Sequence, residues 1–392
     1  MSLVVLIGAT SSGKSTFARQ HFLPTEIISS DQCRGYVSDD ESDQSATGDA
    51  FDLLHHWAGL RLSRGKVTVI DATNVQPHAR KQLIELARTH HVLPVAIVFN
   101  LPESVLKERH GQRTDRAFGD HVIGNHQREL RRSLKFLGKE GFRNVYVFNS
   151  PEEVAAVTGL DRTRLWNNRT DEHGPFDIIG DVHGCLTELR ELLATLGYVT
   201  ANDEAGVAHI AHPAGRKAFF VGDLIDRGPD SVGVLKLVMQ MVADGTALCV
   251  PGNHDAKLGK YLAGKKVQLS HGLDGTVKQL EGEPVEFRQA VNTFIYKLVS
   301  HFVLDDGRLV VAHAGLKERM QGRGSGTVRA FCLYGDTTGE TDEFGLPVRL
   351  DWAANYKGRA MVVYGHTPVP EAEWVNNTID IDTGCVDRKS VV

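Results

Sequence analysis

Gly180-Asp181-Val182-His183-Gly184-Cys185 directly follows the run Phe176 to Ile179, just before mid-chain. The run reads as a strand, and the flanking glycines let the chain leave it in a tight loop. Side-chain direction in a strand has period two, so Asp181 and His183 point the same way at its C-terminal end. A carboxylate and an imidazole so placed suit a metal ion. Taken alone, the stretch is equally well an ordinary polar turn, and the chain on either side has to decide.

Downstream the pattern recurs four times. Phe219-Phe-Val-Gly222 leads into Asp223-Leu-Ile-Asp226-Arg227, Ala247 to Val250 into Pro251-Gly-Asn253-His254-Asp255, Leu309 to Ala312 into His313-Ala-Gly315, and Met361 to Tyr364 into Gly365-His366. Each is an apolar, β-branched run that ends beside glycine and a residue able to ligate a metal. One such stretch is a turn; five at the same end of successive strands predict a site. The ligand set is Asp181, His183, Asp223, Asn253, His313 and His366, a mixture of carboxylate, amide oxygen and imidazole. It suits two divalent transition metals, Mn²⁺, Fe, Ni²⁺ or Zn²⁺ before Ca²⁺, with Mn²⁺ or Ni²⁺ the expected pair and Asp223 the natural bridge. Two such ions activate water and clamp phosphate oxygens for in-line displacement. His254, beside Asn253, is then free to protonate a leaving oxygen, with Asp226 orienting it and Arg227 gripping a phosphate oxygen.

Upstream, Leu3 to Ile7 runs into Gly8-Ala-Thr-Ser-Ser-Gly13-Lys14-Ser15-Thr16 and then a helical pattern. This is Gly-x-x-x-x-Gly-Lys-Ser in the strand-loop-helix context that phosphate binding requires. Gly8 and Gly13 let backbone N–H groups converge on phosphates, Lys14 reaches the β and γ phosphates, and the Ser15 hydroxyl, followed by Thr16, suits Mg²⁺. ATP or another NTP with Mg²⁺ is the expected cofactor. A second strand over 26–30 places Asp31 and Arg34 at a sheet edge, as base and phosphate anchor or as an N-cap beside a solvated arginine. Strands 66–70 and 94–99, with a helix over 77–90 between them, make βαβ units. Arg109 and Arg113 are four apart and share a helical face, either a lid over a transferring phosphoryl group or a solvated charge run.

These motifs together identify a resemblance. Gly8 to Phe17, Ser29-Ser-Asp31-x-x-Arg34, Asp71-Ala-Thr-Asn74 and Arg109-x-x-x-Arg113 resemble the kinase domain of bacterial polynucleotide kinase-phosphatases. The later motifs resemble the phosphoprotein phosphatase branch of the binuclear metallophosphoesterases. In this order they are similar to the bacterial RNA-repair polynucleotide kinase-phosphatases. The resemblance implies Asp31 as general base for a 5′-hydroxyl, Arg34 on the acceptor phosphate, Arg109 and Arg113 on the nucleotide, and Asp382 as a further position of the metal site. It implies RNA or DNA ends as substrate: phosphorylation of a 5′-OH, and hydrolysis of a 3′-phosphate or 2′,3′-cyclic phosphate. The Lys-x-Asp-Gly of that family's ligase module is not in the sequence, so a separate or missing ligase and an RNA-modifying partner are expected. After Asp387 to Val392 the family pattern continues with a Gly-Gly-x-Leu strand. The competing reading is a phosphoprotein or dinucleoside-polyphosphate phosphatase with a nucleotide-sensing P-loop.

At 392 residues the chain is long enough for more than one domain. The expected architecture is α/β throughout: a P-loop phosphotransferase with a parallel sheet over 1–160, a linker over 161–175, and an α/β metallophosphoesterase sandwich over 176–392. A composition of 41% hydrophobic and 24% charged residues, with net charge -5, excludes a uniformly basic surface, so any nucleic-acid contact is local. The 5 cysteines form no Cys-x-x-Cys pair and read as reduced thiols. The absence of a long apolar run gives a cytoplasmic, non-membrane protein as the expectation. An oligomer is compatible with the sequence.

Overall fold

The computed structural model describes residues 2–112, 119–204, 208–341 and 347–388. It forms two compact units, Met1–Arg164 with Arg323–Ser325, and Leu165–Gly322 with Gly326–Val392.

In the N-terminal unit β1 (Ser2–Gly8), β2 (Ile27–Ser29), β3 (Thr68–Asp71), β4 (Leu93–Phe99) and β5 (Asn144–Phe148) form a wholly parallel sheet in the order β2-β3-β1-β4-β5. Leu3, Val5 and Ile7 pack into one core layer, Val4 and Leu6 into the other. This two-sided burial is why β1 is a continuous apolar run and not an alternating one. Two elements differ from the sequence reading. β2 is short, and Asp31 is not at a strand end but in the first turn of helix Ser30–Ser38, one helical turn before Arg34. Serine and aspartate stabilise a helix start, and this preference wins over extension of the strand.

The second unit holds β6 (Asn168–Arg169), β7 (Phe176–Ile179), β8 (Val199–Asn202), β9 (Ala208–Ala211), β10 (Lys217–Phe220), β11 (Ala247–Cys249), β12 (His301–Leu304), β13 (Leu309–Ala312), β14 (Thr337–Thr341), β15 (Pro347–Arg349), β16 (Met361–Tyr364), β17 (Trp374–Val375) and β18 (Thr378–Asp380). Strands β8–β9 and β14–β15 are two-stranded hairpins. The others make a parallel sheet β11-β10-β7 and a mixed sheet β17-β18-β16-β13-β12-β6. Between them lies a layer of Phe219, Val221, Phe302, Leu304, Leu309 and Val311. Each fully buried member of such a layer contributes about 1.5–3 kcal/mol. The alternate residues face helices instead: Ala218 and Phe220 pack with Leu189, Leu235 and Ile295, and Val310 and Ala312 pack with Phe331 and Trp352. The result is a two-sheet sandwich covered by helices, as the sequence predicts.

Within the stretch read as a linker, Asn168–Arg169 pair in parallel with Val303 and Leu304, so the second unit begins earlier than expected. Two residues carry no periodicity, and such a strand exists only through its distant partner. Asp177 sits buried within β7 and is held by the Arg216 guanidinium and by the Tyr198 hydroxyl at 3.0 Å. A carboxylate at that depth requires such partners.

Candidate metal centre and phosphate loop

In the second unit the loops after β7, β10, β11, β13 and β16 carry the predicted ligands, and parallel pairing brings their C-terminal ends together. Glycines permit the approach. A Cβ on Gly252 would collide with the backbone and carboxylate of Asp223, and one on Gly365 with the carboxylate of Asp181. His183, Asp223, Asp226, Arg227 and His366 all have positive φ. Left-handed backbone at five non-glycine residues is strain that the surrounding packing sustains, and it turns these side chains toward one point.

Asp223 is the hub. Its donor atoms group with those of His183 and His254 on one side and with those of His313 and His366 on the other, each group within 4.8 Å. Its Oδ2 lies 3.5 Å from His313 Nε2 and 3.8 Å from His183 Nε2, while Oδ1 accepts the His254 N–H at 2.9 Å. His313 Nε2 is 3.0 Å from both Asn253 Oδ1 and His366 Nδ1. The second nitrogens are fixed: His183 Nδ1 meets the Ile225 carbonyl at 2.9 Å and His313 Nδ1 the Val221 carbonyl at 3.1 Å. That contact fixes the tautomer and aims Nε2 inward, as metal-ligating histidines require. Asp181 accepts the His366 N–H at 3.2 Å and lies 3.9 Å from His313 Nδ1. Asp382 is buried and receives Gly384 N–H at 3.0 Å.

These residues fit divalent metal ions. Burial, with the charges of Asp223 and Asp382, pushes Asp181 well above the carboxylate range. Burial likewise keeps His183 neutral, down at about 4. For Asp223 burial opposes ionisation, but the imidazoles of His313, His254, His183 and His366 outweigh it and hold the carboxyl below its ordinary range. Among the described residues, His366 Nε2 is buried with no protein partner. Crowded carboxylates, neutral imidazoles and an orphaned ring nitrogen are together what cations would satisfy.

His254 Nδ1 lies 2.6 Å from Asp226 Oδ2. Asp226 Oδ1 in turn accepts the Thr276 hydroxyl at 2.6 Å, and its N–H donates to Ser231 Oγ at 3.0 Å. Burial opposes protonation of His254, yet the Asp226 bond and the charge of Asp223 raise its pKa above the ordinary histidine value. Arg227 is exposed on the same loop.

Three residues escaped the sequence reading, and a fourth, Asp255, carried no role in it. Thr276 and Ser231 support Asp226 from helices without any motif. Asp255 accepts N–H bonds from Leu224 at 3.1 Å and Gly252 at 2.8 Å, locking two ligand loops together; burial and Asp223 push it up to about 7. Its position three residues into helix Asn253–Leu262 is a capping signal that was there to be read. Arg349 donates to Thr367 Oγ1 at 2.7 Å, and its charge is felt by both His313 and His366. Nothing around Arg349 in sequence marks it.

In the N-terminal unit, Gly13 precedes helix Lys14–His21 at φ 91. Lys14 Nζ donates to the carbonyls of Gly8 at 3.0 Å and Ala9 at 2.8 Å. Ser15 is half-buried and Thr16 exposed at the helix start. Arg109 Nη1 lies 3.5 Å from the Ser12 carbonyl, so this arginine borders the loop. Asp31 pairs with Arg34, whose Nε also donates to the Glu41 carbonyl at 2.9 Å. Arg113 lies outside the described residues. A helix N-terminus behind a glycine-framed loop with a lysine fits a nucleotide's phosphates with Mg²⁺.

A sandwich with metal-ligating loops gathered at one edge defines a metal-dependent phosphoesterase. The chain belongs to the calcineurin-like phosphoesterase family, whose pattern matches residues 174–370. Residues 3–137 match the AAA domain. The bis(5′-nucleosyl)-tetraphosphatase PrpE of Anoxybacillus flavithermus is 47% identical over 54% of this chain and 86% of its own. That of Bacillus subtilis is 46% identical over the same shares. The solved Pnkp1/Rnl/Hen1 RNA repair complex is similar at 17% identity and a TM-score of 0.33, over 64% of this chain and 79% of that one; a likeness of that size carries no argument. No helix among the described residues is long and apolar enough to cross a membrane.

Proposed function

We propose that the chain is a bifunctional enzyme of nucleic-acid ends, phosphorylating a 5′-OH from an NTP with its first unit and hydrolysing a 3′-phosphate or 2′,3′-cyclic phosphate with its second. The observation that carries this reading is the pairing of Asp31 with Arg34 on the helix that follows β2, in a unit that also holds a P-loop and in a chain whose other half is a phosphoesterase. A nucleotide sensor needs the loop but has no use for a carboxylate poised beside a phosphate anchor. In the first unit Asp31 takes the proton of the attacking hydroxyl, Arg34 holds the acceptor phosphate, and Lys14 and Arg109 offset charge on the transferring group. In the second, Asp181, His183, Asp223, Asn253, His313, His366 and Asp382 would hold two divalent ions, whose chemistry there would be to polarise the phosphate and supply an activated water. His254, oriented by Asp226 through Nδ1, gives a proton to the leaving oxygen. Arg227 and Arg349 bind the non-bridging phosphate oxygens.

The relatives named as tetraphosphatases favour a second reading, hydrolysis of dinucleoside polyphosphates by the same centre. Labelled ATP with a 5′-OH oligonucleotide separates the two. Label transfer that disappears in Asp31→Ala, with phosphoesterase activity intact, is the expected result. No transfer to any 5′-OH end, with rapid cleavage of a dinucleoside tetraphosphate, would overturn the end-healing reading in favour of the second.

A further inference from the structure

Away from the ligand loops, the second unit has a cavity of about 290 Å³ between helices Asn253–Leu262, Val285–Lys297 and Gly326–Tyr334. Two tyrosines, Tyr296 at 57% and Tyr334 at 38% exposure, stand at its wall. Lys260, Lys265 and Arg329 also line it, and among the described residues no carboxylate does. Gly259 keeps one wall thin, since a Cβ there would come within 2.9 Å of Ile295 Cγ2. Exposed aromatic faces with three cations and no anion are the chemistry that takes a planar base and its phosphate.

Two connections tie this cavity to the candidate metal centre. Its first helix begins at Asn253, and Ala256 and Lys260 follow at three and seven residues, on the helical face that Asn253 occupies. Lys260 is thus about 10 Å along the axis from that ligand. On the opposite wall, the carbonyl of Cys332 accepts the N–H of Ala314, the residue after His313, at 2.7 Å. Both walls therefore run from metal-ligating residues into the cavity.

We propose that this cavity is a nucleotide subsite of the phosphoesterase: Tyr296 and Tyr334 stack on a base of the substrate, and Lys260, Lys265 and Arg329 bind its neighbouring, non-reacting phosphate. The proposal rests on the phosphoesterase reading of the adjacent centre and adds which residues bind the substrate's base and its non-reacting phosphate. The same chemistry is offered by a 3′-phosphorylated oligonucleotide and by a dinucleoside polyphosphate.

The test uses the full chain with Mn²⁺ and three substrates: p-nitrophenyl phosphate, a 3′-phosphorylated dinucleotide, and a bis(5′-nucleosyl) tetraphosphate. The double variant Tyr296→Ala, Tyr334→Ala is expected to raise KM about tenfold for whichever base-bearing substrate is native, while the KM for p-nitrophenyl phosphate stays within about twofold. Lys260→Ala with Arg329→Ala is expected to raise the same KM and to flatten its dependence on salt. The base-bearing substrate that loses more identifies the source. Equal loss on p-nitrophenyl phosphate, or no loss on either nucleotide in both double variants, overturns the subsite. If no phosphoester at all is hydrolysed by the unaltered chain, the phosphoesterase reading fails instead. Circular dichroism of each variant separates misfolding from lost binding.

Discussion

The two units reach their sites by opposite routes. The phosphate loop of the first is one contiguous stretch, Gly8 to Thr16, whose binding groups are backbone N–H donors and a single lysine at a helix start. The candidate metal centre of the second is collected from six loops on two sheets, from Asp181 to Asp382, and its binding groups are side chains. A site made of backbone is specified by local geometry. One made of distant side chains depends on every loop-to-loop spacing, so it is more easily lost to a substitution that ligates nothing.

The largest expected effect separates the units outright. Asp223→Ala removes the carboxylate shared by both donor groups and should lower p-nitrophenyl phosphate hydrolysis by about 10³-fold or more, leaving phosphorylation of a 5′-OH oligonucleotide unchanged. A parallel fall in both activities would show that the two sites are not separately assembled.

Glycines sharpen the contrast. Gly252→Ala drives a methyl into Asp223 and should destabilise the second unit by about 3 kcal/mol, read as a lowered calorimetric transition. Among the described residues Gly13→Ala meets only Arg109 Nη1, at 3.4 Å, and it bears mainly the strain of its positive φ, about 1 kcal/mol. Equal losses at both positions would break the distinction.

Scaffold electrostatics give a smaller, pH-dependent effect. The Arg216 guanidinium holds Asp177 below its ordinary carboxylate value, against burial and with help from Tyr198. A depressed folded pKa stabilises above the unfolded value, about 3.8, and the contribution fades as pH falls through the folded one. Asp177→Asn is therefore expected to destabilise by about 2 kcal/mol at pH 7, with the gap to the unaltered protein closing below about pH 4. Chemical denaturation at a series of pH values checks this. Smallest of all, Thr276→Val removes the hydroxyl that donates to Asp226 and should reduce kcat a few-fold with KM nearly unchanged; a matching change in KM would place Thr276 in substrate binding.

The sequence by itself determined the α/β class of both units, the P-loop, and which residues stand at the strand ends of the second sheet pair. These are local matters: period-two direction, glycine punctuation and a strand-loop-helix spacing are written in consecutive residues. Only the tertiary structure decided which histidines group on each side of Asp223, that Asp226 leans on Thr276 and Ser231, that Arg349 stands near His366, and that Asn168–Arg169 is a strand. It also decided that Asp31 starts a helix, where capping preference outweighs strand propensity. Apart from Ser231, a near neighbour of Asp226, each of the first four joins residues distant in the chain through packing, and no short stretch of sequence records such a contact.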